Sequence, residues 1–269
     1  MLLVYGAFSV HSTLNIGHRH ILPMYAVAAV LAGGVAAAHL RSRVLAGGVA
    51  ALLLAHAAAS VRARPDYLAY FNELAGGSAG GYRYLVDSSL DWGQDLPRLR
   101  RWLDARGDRD PVFLSYFGSG SPRYYGIAAT RIGDTYFDFS GGERQLVPPL
   151  RGGWFVISAT MWQRVYTHVR GPWTARYEAR YQVLRPWIRQ LNATLTAPAH
   201  GPDGKVLTTG ELTDLLIDFE HLRFGRLCFF LRDRAPDARI GATLFAFHLS
   251  DAEVNYCLGA PLPADVRLP

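Results

Sequence analysis

The segment Tyr84-Leu85-Val86-Asp87-Ser88-Ser89-Leu90-Asp91-Trp92-Gly93-Gln94-Asp95 gathers carboxylates, an amide and an indole into one short stretch. Those residue types suit a sugar. Carboxylates and amides bond hydroxyls, and an aromatic ring covers the apolar face of a pyranose. Tyr84 to Val86 has strand-like aromatic and β-branched content, and ligands of α/β sheets gather beyond the carboxyl ends of strands. Asp87 and Asp91 are therefore expected to face a crevice, with Trp92, Gln94 and Asp95 completing a sugar or acceptor site. The structural alternative is that each Asp serves as a cap or turn residue. Oxygen-rich loops also take Mg²⁺ or Ca²⁺, but this spacing is not that of a calcium loop. No metal or other cofactor is expected, and a divalent cation belongs only to a third alternative, a metal-dependent hydrolase.

Asn15-Ile16-Gly17-His18-Arg19-His20 stands directly before a long apolar run. An Arg fork flanked by His and Asn donors is suited to a phosphate at a membrane surface, so Asn15, His18, Arg19 and His20 are candidate donor-phosphate ligands. Interfacial snorkelling is the alternative. His18 and His20 fall on different helix faces with no acidic or cysteine neighbour, which argues against a metal. Gly118-Ser119-Gly120-Ser121-Pro122-Arg123-Tyr124-Tyr125 lacks the Gly-Lys-Ser/Thr ending of a phosphate loop and reads as a loop with exposed tyrosines. Cys228 and Cys257 have neither zinc nor redox spacing and read as two buried thiols, with a disulfide between them left open.

The elements that must carry these groups are of two kinds. Ile21–Ala38 and Val44–Val61 each hold 18 residues without Asp, Glu, Lys or Arg, long enough as helices to span about 27 Å. The five residues between them allow only a tight turn, which predicts a helical hairpin. Gly33-Gly34 and Gly47-Gly48 would permit close helix approach. A buried hairpin in a soluble protein is the alternative. Met1–Val10 is apolar without a basic start or cleavage site and reads as a helix stub, leaving 11–20 as a loop at the membrane surface. The membrane region is thus 1–63.

From 64 to 269 short apolar runs alternate with Gly, Pro and charge, the pattern of an extramembrane α/β domain. Strands are expected at Tyr84–Val86, Val112–Phe117, Trp154–Ala159, Leu227–Leu231 and Ile240–Phe247. Helices are expected from Asp95 to Ala105, after the capping boxes Thr208/Glu211 and Ser250/Glu253, and over Thr174–Leu191 with Pro186 ending or kinking it. The fold class is therefore a transmembrane α-helical hairpin followed by an extramembrane α/β domain. The net charge of +6 does not indicate nucleic acid. Lys205 is the single lysine, and the arginines lie among acids, as Arg98, Arg100 and Arg101 do beside Asp104 and Asp108.

Two stretches resemble the C-terminal region of bacterial GT-C membrane glycosyltransferases, the group of protein O-mannosyltransferases and aminoarabinose transferases. The first is Asn15-Ile16-Gly17-His18-Arg19-His20-Ile21-Leu22-Pro23-Met24-Tyr25, similar to an Arg-aromatic-Leu-Pro element with His20 in the aromatic place. The second runs from Pro65-Asp66-Tyr67-Leu68-Ala69-Tyr70-Phe71-Asn72-Glu73-Leu74-Ala75-Gly76-Gly77 through Asp87 to Asp95, with Ser89 where Asn is usual. The resemblance implies a multi-pass inner-membrane protein whose C-terminal domain is extracytoplasmic. Its partners would be the bilayer, a polyprenyl-phosphate sugar, and a glycan or protein acceptor. The group's catalytic acid lies in a first extracytoplasmic loop with no counterpart here, so no catalytic residue is carried over. The chain is expected to be the C-terminal portion of such a transferase, or else a non-catalytic membrane-tethered carbohydrate-binding or accessory module.

Overall fold

The computed structural model describes residues 2–11, 21–39, 42–133, 147–194, 199–262 and 268. They belong to two compact units, Met1–Asp91 and Trp92–Pro269.

The first unit contains helices α1 (Leu2–His11), α2 (Leu22–His39) and α3 (Arg43–Ala63). Pro23 sits in the opening turn of α2, where its missing N–H costs no helical bond. Ser42 caps α3 by accepting the Leu45 N–H at 3.5 Å. Among the described residues α3 is the one helix long and apolar enough to cross a bilayer, with 21 residues at a mean hydropathy of 2.0. The apolar part of α2, Leu22–Ala37, is shorter. The apolar run at Met1–Val10 forms α1, which packs on α2 with Gly6 facing Met24.

The close approach of α2 and α3 through their glycines is not found. Side chains built on Gly33, Gly34, Gly47 and Gly48 would meet open space, and Ala63 is the only buried residue of α3. Leu52, Leu53 and Leu54 are all exposed. Apolar residues are spread around α3 rather than gathered in one stripe, so no face selects a protein neighbour.

Beyond Ala63 the chain forms short turns: 3₁₀ segments at Tyr67–Ala69 and Glu73–Ala75, a one-turn helix α4 (Gly77–Gly80), and further 3₁₀ segments at Gly81–Arg83 and Asp87–Ser89. The strand expected at Tyr84–Val86 is absent. Tyr84 instead stacks on Phe71 at 6.5 Å, and a side chain at Gly81 would strike the same Phe71 ring. Aromatic content here serves local packing, and the crevice beyond that strand is lost with it.

The second unit is built on a five-stranded mixed sheet in the order β2-β1-β3-β5-β4. Its strands are β1 (Val112–Ser115), β2 (Thr130–Arg131), β3 (Gly153–Ser158), β4 (Ala238–Ile240) and β5 (Leu244–Leu249). β1 runs parallel to β2 and β3, and β5 runs antiparallel to β3 and β4. The central β3 is buried along its whole length, as a strand covered on both faces must be. Its Trp154 and Val156 join Leu96 and Leu99 of helix α5 (Leu96–Arg106), with Leu114, Leu244 and Ala246. Alternation sends Phe155 and Ile157 to the opposite face, where Phe155 stacks on Phe113 at 4.7 Å.

After β3 come the short helix α6 (Ala159–Trp162) and the long helices α7 (Ala175–Thr194) and α8 (Thr209–Leu231). A four-residue helix α9 (Asp251–Val254) then runs into a π-turn at Asn255–Gly259. Both predicted capping boxes form, at Thr208/Glu211 and Ser250/Glu253. Two expectations fail. Leu227–Leu231 closes α8 instead of forming a strand, because a short apolar run fits buried helix and buried strand alike. Ile240–Phe247 is broken at Gly241 into β4 and β5. Pro186 lies inside α7 without ending it. Trp187, Ile188 and Leu191 beyond the proline are buried against α8 residues Leu216, Phe219 and Leu222, which offsets the lost backbone bond.

The α7–α8 layer is held by a buried ion pair. Arg226 of α8 is fully buried and reaches Glu178 of α7 through Nε at 2.8 Å and Nη2 at 3.1 Å. Arg226 also donates to the carbonyls of Cys257 and, at 3.0 Å, Ala260, tying the C-terminal turn to both helices. Glu178 accepts further from Trp173 Nε1 at 3.0 Å and Gln182 at 2.6 Å. Cys228 and Cys257 are free and buried, and burial pushes their thiols up to about 12 and about 11, far from a reactive thiolate.

Candidate functional site

The candidate sugar-binding residues are divided between the units. In the first, Asp87 adopts a left-handed backbone at φ 59, a conformation Asp tolerates better than most residues. Its carboxylate accepts the Ser88 N–H, and its carbonyl accepts those of Leu90 and Asp91 at 2.8 Å each. This is the turn role named above as the structural alternative. Asp91 is fully buried and does not meet solvent.

In the second unit Asp95 stands at the start of α5 but makes no cap bond to that helix. Its Oδ2 accepts from the N–H groups of Ala242 and Thr243 at 3.0 Å each and from Thr243 Oγ1 at 2.8 Å. Its Oδ1 accepts from Arg98 at 2.9 Å. The carboxylate latches α5 to the β4–β5 turn. The approach is so close that any side chain at Gly241, which is also left-handed at φ 62, would run into it. Asp91, expected to face a crevice, and Asp95, expected to complete the sugar or acceptor site, are thus both buried.

Trp92 and Gln94 remain at the surface. Gln94 Oε1 accepts the Trp92 N–H at 2.7 Å, and Trp92 is 49% exposed. Its ring leans on Phe117 at 5.9 Å, and Phe117 stacks nearly parallel on Tyr166 at 5.1 Å and 7°. Tyr166 is 48% exposed. The three rings make a continuous aromatic ledge. Phe117 lies just beyond the end of β1, and its N–H donates to Ser158 Oγ, the last residue of β3, at 3.1 Å. The ledge therefore stands at the carboxyl ends of two parallel strands, the place where α/β sheets take ligands. Gly118 allows this: at φ 139 it presses on the Trp92 carbonyl where a Cβ would clash.

Sequence reading found Trp92 and Gln94 but missed Phe117 and Tyr166, which are separated from Trp92 by dozens of residues and carry no motif. It likewise missed a hydrogen-bonded chain in which Asp218 and His221 of α8 meet His168 of the loop before α7: Asp218 to His168 Nε2 at 2.8 Å, then His168 Nδ1 to His221 Nδ1 at 2.7 Å, with Arg180 of α7 on the other Asp218 oxygen at 2.8 Å. Asn15, His18, Arg19 and His20, the candidate donor-phosphate residues, lie outside the described residues. No group of His, Cys, Asp and Glu among the described residues is arranged to hold a metal ion.

No protein family, curated protein or solved structure matches the chain.

Proposed function

We propose that the chain is the C-terminal portion of an integral-membrane glycosyltransferase that moves a sugar from a polyprenyl-phosphate donor to a glycan or protein acceptor outside the cytoplasmic membrane. In this reading the hairpin of α2 and α3 spans the bilayer, the segment around Arg19 meets the donor phosphate, and the second unit holds the acceptor. The aromatic ledge of Trp92, Phe117 and Tyr166 is the observation that carries it. Two exposed rings flanking the half-buried Phe117 give a sugar apolar faces to stack on, and the Gln94 side chain beside Trp92 adds a polar group for hydroxyls. The family resemblance supplies the reaction class.

Deletion of the gene is expected to abolish transfer of labelled sugar from polyprenyl phosphate to acceptor in isolated membranes. Restoring it with a Trp92→Ala, Tyr166→Ala double variant is expected to return about a tenth of the activity or less. Full transfer in the deletion membranes would remove the proposal.

One observation favours the second reading, a non-catalytic carbohydrate-binding module tethered to the membrane. Asp95, three residues beyond Trp92, is fully occupied within the fold, and Asp91, directly before Trp92, is buried. A module of this kind would bind glycans through the ledge while transfer stays unchanged in the deletion.

A further inference from the structure

A second concave feature lies in the second unit, a cavity of about 240 Å³ between α7, α8 and the turn that follows β5. Its walls are unusually basic. Arg151, Arg185, Arg189 and Arg223 all line it, whereas Asp251 is its only acid among the described residues, with Oδ1 accepting the Gly152 N–H at 2.7 Å. Arg223 is offset by Glu220, whose carboxylate lies 2.5 Å from Nη2, and it donates to the Pro148 carbonyl at 2.6 Å. Arg185 donates to the Gly259 carbonyl but has no acidic partner among the described residues. Arg151 and Arg189 likewise have none there.

Arg185 and Arg189 are one helical turn apart on α7, so their like charges stand side by side and repel. Burial, together with repulsion from Arg189 and Arg226, outweighs Tyr181 and Glu178 and lowers the pKa of Arg185. An anion between the two guanidinium groups reverses that penalty. One turn further along the same face, Asn192 donates to the Val147 carbonyl at 2.9 Å while its buried Oδ1 has no hydrogen-bond partner among the described residues. A buried acceptor without a donor is costly, and a ligand hydroxyl satisfies it. Ile188, Phe219, Val254 and Leu258 add apolar wall, beside Tyr181 and Asn255.

We propose that this cavity binds a small hydroxylated anion of the phosphate or carboxylate class, with Arg185 and Arg189 on the charged oxygens and Asn192 Oδ1 on a hydroxyl. The proposal is independent of the aromatic ledge and of the glycosyltransferase reading. Arginine is suited to the role because its planar fork takes two oxygens at once and stays charged.

The test is calorimetric titration of the full chain in neutral detergent with glycerol 1-phosphate, then with inorganic phosphate. Glycerol 1-phosphate is expected to bind more tightly than phosphate. Arg189→Gln, at an exposed position that leaves folding intact, is expected to weaken binding about tenfold, and Arg185→Gln at least as much. Arg101→Gln on α5 is the control and should leave affinity unchanged. A parallel arm with phosphatidylglycerol and phosphatidylcholine vesicles separates the sources. Competition between glycerol 1-phosphate and the anionic vesicles assigns the site to a lipid headgroup; binding without competition assigns it to a free metabolite. Absence of binding in both arms, or affinity unchanged in Arg189→Gln and Arg185→Gln, overturns the proposal.

Discussion

Arg226→Ala is expected to cost the second unit about 3–5 kcal/mol, the penalty for removing one partner of a buried ion pair. That is a large share of the ~5–15 kcal/mol by which a domain is ordinarily stable. The substitution leaves Glu178 largely buried with only Trp173 and Gln182 as donors, and it frees the carbonyls of Cys257 and Ala260. Thermal or urea unfolding of the full chain in detergent, followed by tryptophan fluorescence, reads the loss. Joint replacement of Arg226 by Met and Glu178 by Leu should recover much of it, since the cost lies in the unpaired charge rather than in the missing pair.

The same pair gives the unit a defined acid sensitivity. Burial alone would raise the pKa of Glu178, but the bonds from Arg226, Gln182 and Trp173 and the attraction of Arg226 outweigh it, so the carboxyl titrates below its ordinary 4.5. A depressed carboxylate stabilises the fold fully above that ordinary value. The contribution is lost as pH falls from there through the lower folded value. In Glu178→Gln this part of the acid-induced destabilisation should disappear.

Asp95→Ala is expected to cost about 3 kcal/mol or more, through a different mechanism. One carboxylate oxygen serves the Ala242 and Thr243 N–H groups and the Thr243 hydroxyl, and Thr243 is fully buried. Removing it strands donors that water does not reach. Asp95→Asn keeps one acceptor oxygen and should lose about half as much. Hydrogen exchange at the β4–β5 turn identifies the site of the loss: faster exchange of the Ala242 and Thr243 amides is the expected result, and unchanged exchange would refute the latch.

These two sites also show what the amino-acid sequence discloses and what it does not. Local rules were legible. Thr208 with Glu211 and Ser250 with Glu253 form the boxes their spacing implies, β1 and β3 lie where β-branched and aromatic residues cluster, and α3 falls on a run without charge. Long-range pairing was not. Nothing near Asp95 signals that its partners are Ala242 and Thr243, and nothing near Glu178 signals Arg226. Tyr84 and Leu227 misled for a shared reason: aromatic and aliphatic runs of a few residues record burial, not the element that buries them. In the candidate site, Trp92 was visible as an indole in a polar loop, whereas Phe117 and Tyr166 become its neighbours only once β1 and β3 pair in parallel.

Carbohydrate recognition by the aromatic ledge is the claim on which the functional account rests. Calorimetric titration of the full chain in detergent with neutral gluco-, manno- and galacto-configured oligosaccharides tests it most directly. The account predicts that at least one of these binds and that Trp92→Ala and Tyr166→Ala each weaken binding about tenfold with the fold intact. No binding by any of them, or binding unchanged in Trp92→Ala, would contradict it.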